Sequence, residues 1–313
     1  MFKINRLALL VSAFFAFVVV SCKTTAQTNK ASATAPKTQN EKALLWEISG
    51  KDLKKPSFLY GTIHMIPKED FFLTDATKKN FETSARVVFE IDMKEMSNPM
   101  VLLGIMSKAM MIGGKKLSDL ISTEDYGIVK NKFDSIGMPL KMFERMKPMF
   151  LSVMLGNDGE KMSLDGKTGN TTSYEMEFLR LGETQKKEFG GLETVEFQMS
   201  MFDSIPYQAQ ADMLVKTVKS GNSGGDEYKK MVDIYKKQDI EAMSKMLGES
   251  DESDLGQYET MLIVNRNRNW IPIMNRMMAE KPTFFAVGAG HLGGELGVVN
   301  LLRKEGYTLK AIK

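Results

Sequence analysis

The chain has 313 residues, of which 43% are hydrophobic and 26% are charged, and its formal net charge is +3. This length is sufficient for a substantial hydrophobic core in one large domain or two. The charges nearly balance and the sequence has no basic patch, so we do not expect a nucleic-acid partner. It also has no nucleotide-binding loop motif, so we do not expect a nucleotide ligand.

The first segment, residues 1–21, has the form of a secretory leader. Lys3 and Arg6 give it a positive start, and the apolar run at 7–20 is too short to span a bilayer comfortably. The run ends in VVSC, which is similar to the lipobox of bacterial lipoproteins and closes at Cys22. We therefore expect lipidation of Cys22 and a lipid-anchored membrane protein on the periplasmic side of a bacterial cell envelope. The alternative is an ordinary cleaved leader with an incidental cysteine.

The segment at residues 22–43 predicts a flexible tether between the lipid and the folded part. Thr, Ala, Lys and Gln dominate it, and few of its side chains are apolar. We expect the folded domain to cover residues 44–313, with a large, mainly helical insertion at about 96–280.

Two stretches of the chain share one plan: Lys-Pro, a hydroxyl residue, an apolar run and then Gly-x-x-His. They lie at residues 55–64 and 281–291, and the chain's two histidines, His64 and His291, each close one of them. Each apolar run has the length and composition of a short buried strand. We expect both histidines just past the C-terminal end of a strand, where open α/β sheets bind their ligands.

The remaining pattern predicts a mixed α/β fold. Strand character is found at residues 44–48, 56–61, 86–92, 189–194, 283–288 and 307–312. Helical character is found at residues 71–84, 102–112, 122–137, 140–155 with an interruption near Pro148, 173–182, 195–203, 206–220, 226–247, 255–279 and 294–305. Residues 157–172 read as an exposed polar loop. The order strand, Gly-x-x-His, helix, strand occurs twice, at about 56–92 and 282–312, which predicts a pseudo-repeat whose halves build one central sheet.

The strand at residues 86–92 contains two acidic side chains among apolar ones. Glu90 and Asp92 share one face of this strand with Val88. Such a mismatch is typical of functional positions, although Glu90 in a structural ion pair is the alternative. Because Glu90 and Asp92 lie two residues apart on the same face, the sequence does not separate them as the reactive acid.

Several short stretches carry a family resemblance when they are taken together and in order. They are LYGTIH at 59–64, FEID at 89–92, GLET at 191–194 with Gln198, RN at 266–267 with Trp270, and VGAGHL at 287–292 followed by Gly294 and Gly297. Over about residues 44–313 the chain resembles the TraB/GumN family, which includes the TIKI proteases of animals. The resemblance implies a mixed α/β core and, for the TIKI branch, metal-dependent peptide cleavage favouring manganese or cobalt. The family often has Gly-x-Asp where this chain has Ser-Tyr-Glu at 173–175, so Glu175 is assigned no role.

The candidate residues suit metal-assisted hydrolysis. Two neutral imidazoles and one carboxylate can bind a divalent transition metal. The resemblance implies Mn or Co first, with Zn as another option. We expect His64 and His291 as ligands, with Glu90 as a ligand or general base. Such a metal lowers the pKa of bound water from about 16 toward 7 and polarises a carbonyl group.

Three further residues complete the predicted catalytic set. Glu193 is the second carboxylate and would pass a proton to the leaving amine. Arg266 would bind the oxyanion or a substrate carboxylate through its fork of donors, and Asn267 would orient Arg266. The alternatives are that Glu193 caps the following helix and that Arg266 and Asn267 belong to a solvated polar face.

The sequence therefore predicts a metal-dependent hydrolase, a peptidase that acts on a peptide or protein substrate in the cell envelope. One alternative is a non-catalytic binding module of the same fold that captures haem or a signalling peptide. Tyr60 and the methionines are the candidates for a haem site. Another alternative is a structural envelope protein with a decayed site.

Overall fold

A computed structural model describes residues 40–95, 98–155, 170–220, 223–248 and 258–313 of the protein. The predicted leader at 1–21, the lipidation site Cys22 and most of the predicted tether at 22–43 lie outside these residues. Most of the polar loop predicted at 157–172 also lies outside them. Within the described ranges, no helix is both long enough and apolar enough to cross a membrane.

One six-stranded sheet forms the centre of the fold. Its strands are β1 (Leu45–Ser49), β2 (Ser57–Thr62), β4 (Arg86–Ile91), β6 (Glu188–Glu193), β7 (Thr283–Gly288) and β8 (Thr308–Ile312), with a separate two-stranded ribbon formed by β3 (Ile66–Pro67) and β5 (Thr171–Thr172). The strand order across the sheet is β6-β4-β7-β2-β1-β8. All six strands predicted from the sequence are present, and the predicted mixed α/β class with one central sheet is confirmed.

Eleven α-helices accompany the sheet in the part of the chain that the structure describes. They are α1 (Asp75–Thr83), α2 (Pro99–Ala109), α3 (Thr123–Ser135), α4 (Pro148–Leu155), α5 (Tyr174–Thr184), α6 (Val195–Met201), α7 (Tyr207–Lys219), α8 (Ser223–Lys236), α9 (Ile240–Gly248), α10 (Asn265–Glu280) and α11 (Val298–Lys304). A π-helical turn, Thr260–Val264, leads into α10, and a 3-10 turn, Ala289–His291, follows β7.

Several predicted helix boundaries are wrong. The helix predicted at 71–84 begins only at Asp75, because the Thr74 side chain accepts a hydrogen bond from the Thr77 N–H and caps it there. The helix predicted at 226–247 is two helices, separated at Gln238, whose φ of 55° is left-handed. The last predicted helix begins at Val298 instead of 294.

Four neighbouring strands, β6, β4, β7 and β2, run parallel to one another. In the β2–β7 pair, Gly61 lies opposite Val287 and Thr62 lies opposite Gly288. The two Gly-x-x-His stretches are therefore side by side. Because parallel strands end at the same edge of a sheet, both histidines and the ends of β4 and β6 meet at one carboxyl edge.

The strands that complete the two predicted repeats take different places in the sheet. β4 pairs in parallel with β7, whereas β8 pairs antiparallel with β1 at the sheet edge. The two repeats thus contribute to one sheet without forming equivalent strand pairs. The segment between them also contributes, because β6 pairs with β4.

The hydrophobic core has a large part around the sheet and a small part among the helices. Trp46, Trp270 and Phe284 are completely buried in the large part. The small part lies between α3, α4 and α7, where Phe133 and Leu214 are completely buried. Burial of such side chains contributes about 1.5–3 kcal/mol each to folding.

The glycine-rich loop after His291 allows a close approach between backbones. A Cβ atom added at Gly293 would lie 2.2 Å from the carbonyl oxygen of Ile240. Ile240 is the first residue of α9, so α9 packs directly on this loop. Gly293 therefore fixes the loop that follows His291 against the helical part of the fold.

We expect Gly293→Ala to lower the free energy of unfolding by about 1–3 kcal/mol, because the added methyl group forces the backbone of α9 to shift. Denaturant titration followed by circular dichroism measures this change. Gly104→Ala in α2 is the matched control, because in the described ranges no atom outside its own helix backbone and chain neighbours lies within 4 Å of its added Cβ. That control should be neutral or more stable by up to about 1 kcal/mol. Equal losses at the two glycines would contradict the close approach.

Candidate active site

Four predicted site residues meet at the carboxyl edge of the sheet. His64 follows β2, Glu90 lies near the end of β4, Glu193 ends β6, and His291 follows β7. All four side chains are less than a tenth exposed. His64, Glu90 and His291 also border one cleft of about 420 Å³, counting the space that is open to solvent.

Arg266, on α10, joins the residues of this edge through a completely buried guanidinium group. Its Nε and Nη2 atoms donate to the Glu193 carboxylate at 2.9–3.0 Å, and Nη2 also donates to Glu90 Oε2 at 2.6 Å. Its Nη1 atom donates to the Leu262 carbonyl at 3.2 Å and lies 3.0 Å from His291 Nε2. The five N–H donors of a guanidinium are all accounted for by these acceptors.

The Glu193 carboxylate is fixed from three sides. Besides Arg266, Trp270 Nε1 donates to Glu193 Oε1 at 2.7 Å, and Gln198 Nε2 donates to Oε2 at 3.0 Å. The alternative that Glu193 caps the following helix is wrong, since the Thr194 side chain accepts from the N–H of Phe197 and caps α6. These contacts indicate that Glu193 positions Arg266.

Of the two acidic residues at the end of β4, Glu90 contacts the other residues of the site. Its Oε1 atom accepts from the Gly288 N–H at 2.9 Å and lies 3.9 Å from His291 Nε2. Burial alone raises the pKa of Glu90, but the positive charge of Arg266 outweighs burial and holds the pKa well below its usual range. Asp92 lies just beyond the end of β4, where its side chain accepts from the Lys94 N–H at 2.9 Å in a turn.

The hydrogen bonds of His291 define its tautomer. Asn267 Nδ2 donates to the carbonyl of Leu296 at 2.9 Å, so Asn267 Oδ1 is an acceptor and His291 Nδ1–H donates to it at 2.6 Å. The His291 Nε2 lone pair therefore faces Arg266 Nη1. Burial and the Arg266 charge lower the pKa of His291 to about 3, so the ring is neutral. Asn267 thus orients His291, whereas the sequence predicted that it orients Arg266.

The sequence missed the partner of His64, which is Glu175 at the start of α5. Glu175 Oε1 lies 2.8 Å from His64 Nδ1, although the ring N–H is not aligned for a hydrogen bond. Thr62 and Ser173 hydroxyls donate to the two Glu175 oxygens at 2.7 and 2.8 Å. Burial lowers the pKa of His64, but the Glu175 charge outweighs burial and the net pKa is raised above 6.5. The only local sequence signal for Glu175 was its position two residues after Ser173, which caps α5.

Tyr60, the candidate for a haem site, belongs to an aromatic cluster of the core. Its ring centroid lies 5.8 Å from that of Tyr174 and 5.1 Å from that of Phe178. The Tyr60 side chain is 2% exposed. Its contacts are those of a packed core residue.

The residues of the site fit a divalent cation in donor type and in charge. Glu90 and Glu193 share the single guanidinium of Arg266 and buried Glu175 faces His64, so negative charge is in excess while His64 is neutral. Imidazole and carboxylate are donors that divalent transition metals accept. Within the described ranges, however, no three such side chains form a group arranged to hold a metal ion. Arg266 already uses acceptor atoms of His291 and Glu90, so coordination by both requires the guanidinium to release them.

We expect Arg266→Met to lower the free energy of unfolding by about 3–5 kcal/mol, because it leaves buried carboxylates without their cation. Urea denaturation measures the loss. Arg180→Met is the matched control: Arg180 pairs with Glu177 through a side chain that is 62% exposed, and its loss should stay below about 1 kcal/mol. Similar values for the two variants would mean that Arg266 does not stabilise the site.

Comparisons with known proteins identify relatives of this chain. The chain is similar to metalloprotease TIKI1 of Danio rerio, with 23% identity over 86% of the chain and 63% of that protein. It is also similar to metalloprotease TIKI1 of Homo sapiens, with 23% identity over 88% of the chain and 63% of the relative, and to metalloprotease TIKI2 of Danio rerio, with 22% identity over 86% and 60%.

These relatives are longer proteins, and the chain spans less than two thirds of their length. No solved structure matches the chain significantly. The family comparison covers far more of the sequence than the short motifs do, since residues 44–311 match the TraB/PrgY/gumN family. The chain belongs to the TraB/PrgY/gumN family, which confirms the resemblance predicted from its motifs.

Proposed function

We propose that the protein is a metal-dependent hydrolase that cleaves peptide bonds. The observation that carries this proposal is the meeting of His64, Glu90 and His291 around one cleft at the carboxyl edge of the sheet. Two imidazoles, one carboxylate and an excess of buried negative charge suit a divalent cation. Relatives named metalloprotease TIKI1 and TIKI2, at 22–23% identity, support the same class of activity.

We assign the cation to His64, His291 and Glu90, with manganese or cobalt before zinc. A divalent cation bound there would lower the pKa of a water molecule from about 16 toward 7 and polarise the substrate carbonyl. Glu175 and Asn267 would orient the two imidazoles, each through an oxygen near Nδ1, which leaves both Nε2 atoms for the ligand role.

The remaining residues would bind the substrate and transfer the proton. When the Arg266 guanidinium no longer donates hydrogen bonds to His291 and Glu90, its Nη1 and Nη2 atoms could donate to an oxyanion or a substrate carboxylate. Glu193 keeps the guanidinium in place through Nε. The Glu90 oxygen that is not bound to the cation would accept the water proton and pass it to the leaving amine.

The place of the protein in the cell is part of the same proposal. The leader at 1–21 and the lipobox that ends at Cys22 favour a lipid-anchored protein of a bacterial cell envelope, facing the periplasm. Its substrate would then be a peptide or protein of that compartment.

We expect the purified full chain to bind about one manganese or cobalt ion, and His64→Ala and His291→Ala each to lose it, because each removes one of three ligands. Metal content after dialysis measures the binding, and circular dichroism verifies the fold. The exposed Arg180→Ala variant serves as control and should keep the ion. A haem Soret band without transition-metal binding would instead support the binding-module alternative.

We expect Glu90→Gln to lower kcat for peptide cleavage by about 10²–10⁴-fold, the range for loss of a positioned acid–base group. The amide keeps the size of the side chain but removes its charge. Cleavage of a mixed peptide library, read by mass spectrometry, provides the rate. Glu177→Gln is the control, because the partly exposed Glu177 of α5 pairs with Arg180, and this variant should cleave normally. Full activity in Glu90→Gln would remove Glu90 from the mechanism.

A further inference from the structure

His64 and Glu90 border two cavities, and each cavity has an apolar wall. The cavity on the His291 side is completed by Met231 of α8, Met243 of α9 and Ile263 of the π-helical turn. The two methionines are buried, and Ile263 is half-buried. A side chain that enters this cavity meets thioether and hydrocarbon surface.

The second cavity lies on the Glu175 side and measures about 300 Å³, counting space open to solvent. Its apolar wall consists of Phe89, Ile91 and Met93, at the end of β4. The carboxylate oxygens of Glu175 already accept from Thr62 and Ser173. Hydrophobic contact is therefore the main interaction that this wall offers to a ligand.

Because His64 and Glu90 border both cavities, a peptide bound at these two residues could contact both. Successive side chains of an extended peptide point in opposite directions. A peptide bond placed at His64 and Glu90 would therefore direct its two flanking side chains into different cavities. This step rests on the function proposed above.

We propose that the cleft selects peptides with apolar side chains on both sides of the scissile bond, and that Ile263 determines this preference on the His291 side. An apolar side chain gains by leaving water for these walls, whereas a charged one that packs against them loses its hydration to thioether and hydrocarbon surface. Ile263 also precedes Arg266 by three residues, in the π-helical turn that supplies the Leu262 carbonyl to the guanidinium. Turns of this kind are frequent at functional sites.

The first test is a specificity swap at Ile263 in the full chain. In a peptide library, Leu, Met or Phe next to the cut bond should be preferred over Asp or Lys by about ten-fold or more. Ile263→Glu should shift the preference on one side of the bond toward Lys and Arg, and Ile263→Lys toward Asp and Glu. Opposite shifts from one position exclude general loosening of the fold as the cause.

The control for the swap is Ile273→Glu. Ile273 is a half-buried isoleucine of α10 that packs against the core and borders neither cavity. This variant should keep the apolar preference of the unmodified chain. Retention of that preference in both Ile263 variants would overturn the assignment of Ile263.

A binding measurement separates this inference from the proposed hydrolysis. By calorimetry, N-acetyl-Leu-Leu-amide should bind the chain about ten-fold or more tightly than the Asp-Asp and Lys-Lys amides, and Ile263→Glu should favour Lys-Lys. Such binding without cleavage of any peptide would support the apolar site and contradict the proposed hydrolase activity. Cleavage without an apolar preference keeps the hydrolase and overturns the apolar site. The absence of both overturns both.

Discussion

The buried guanidinium of Arg266 is the interaction on which the candidate site depends. A buried charge is tolerated only when its partners satisfy it completely, and Arg266 finds acceptors on Glu90, Glu193, His291 and Leu262. These partners come from two strands, a loop and the π-helical turn. The guanidinium thereby joins the central sheet to the helix that covers its carboxyl edge. Trp270 and Gln198 act on the same network indirectly, since both donate to Glu193.

The two histidines occupy similar places and have different electrostatic surroundings. Each Nδ1 atom faces a side-chain oxygen, from Glu175 for His64 and from Asn267 for His291. Burial lowers the pKa of both rings. At His64 the negative Glu175 carboxylate outweighs burial and raises the pKa, whereas at His291 the Asn267 amide is neutral, and burial together with the Arg266 charge lowers the pKa. One motif, Gly-x-x-His, therefore gives two imidazoles with different protonation properties.

Close backbone packing makes the adjacency of these histidines possible. β2 and β7 pair in register at the glycines of both motifs. A Cβ atom at Gly61 would lie 3.0–3.1 Å from Leu292 and Ala289, so the chain that carries His291 passes directly over β2. Apolar walls from α8, α9 and β4 then enclose the space beside the polar residues. A site with this combination has polar groups that fix the reacting atoms and apolar surface for neighbouring side chains.

The sequence by itself determined the six strands and both Gly-x-x-His stretches, because these signals are local runs of residues. It also determined the family, because several short motifs occur in the same order. It named His64, Glu90, Glu193, Arg266 and His291, which the structure brings together at one edge. Only the tertiary structure gave Glu90 and Asp92 different surroundings, because Glu90 contacts Arg266 whereas β4 ends at Ile91 and Asp92 accepts from the Lys94 N–H in a turn. The tertiary structure also revealed Glu175 beside His64. His64 follows β2 and Glu175 lies on α5, so no local spacing in the sequence relates the two residues.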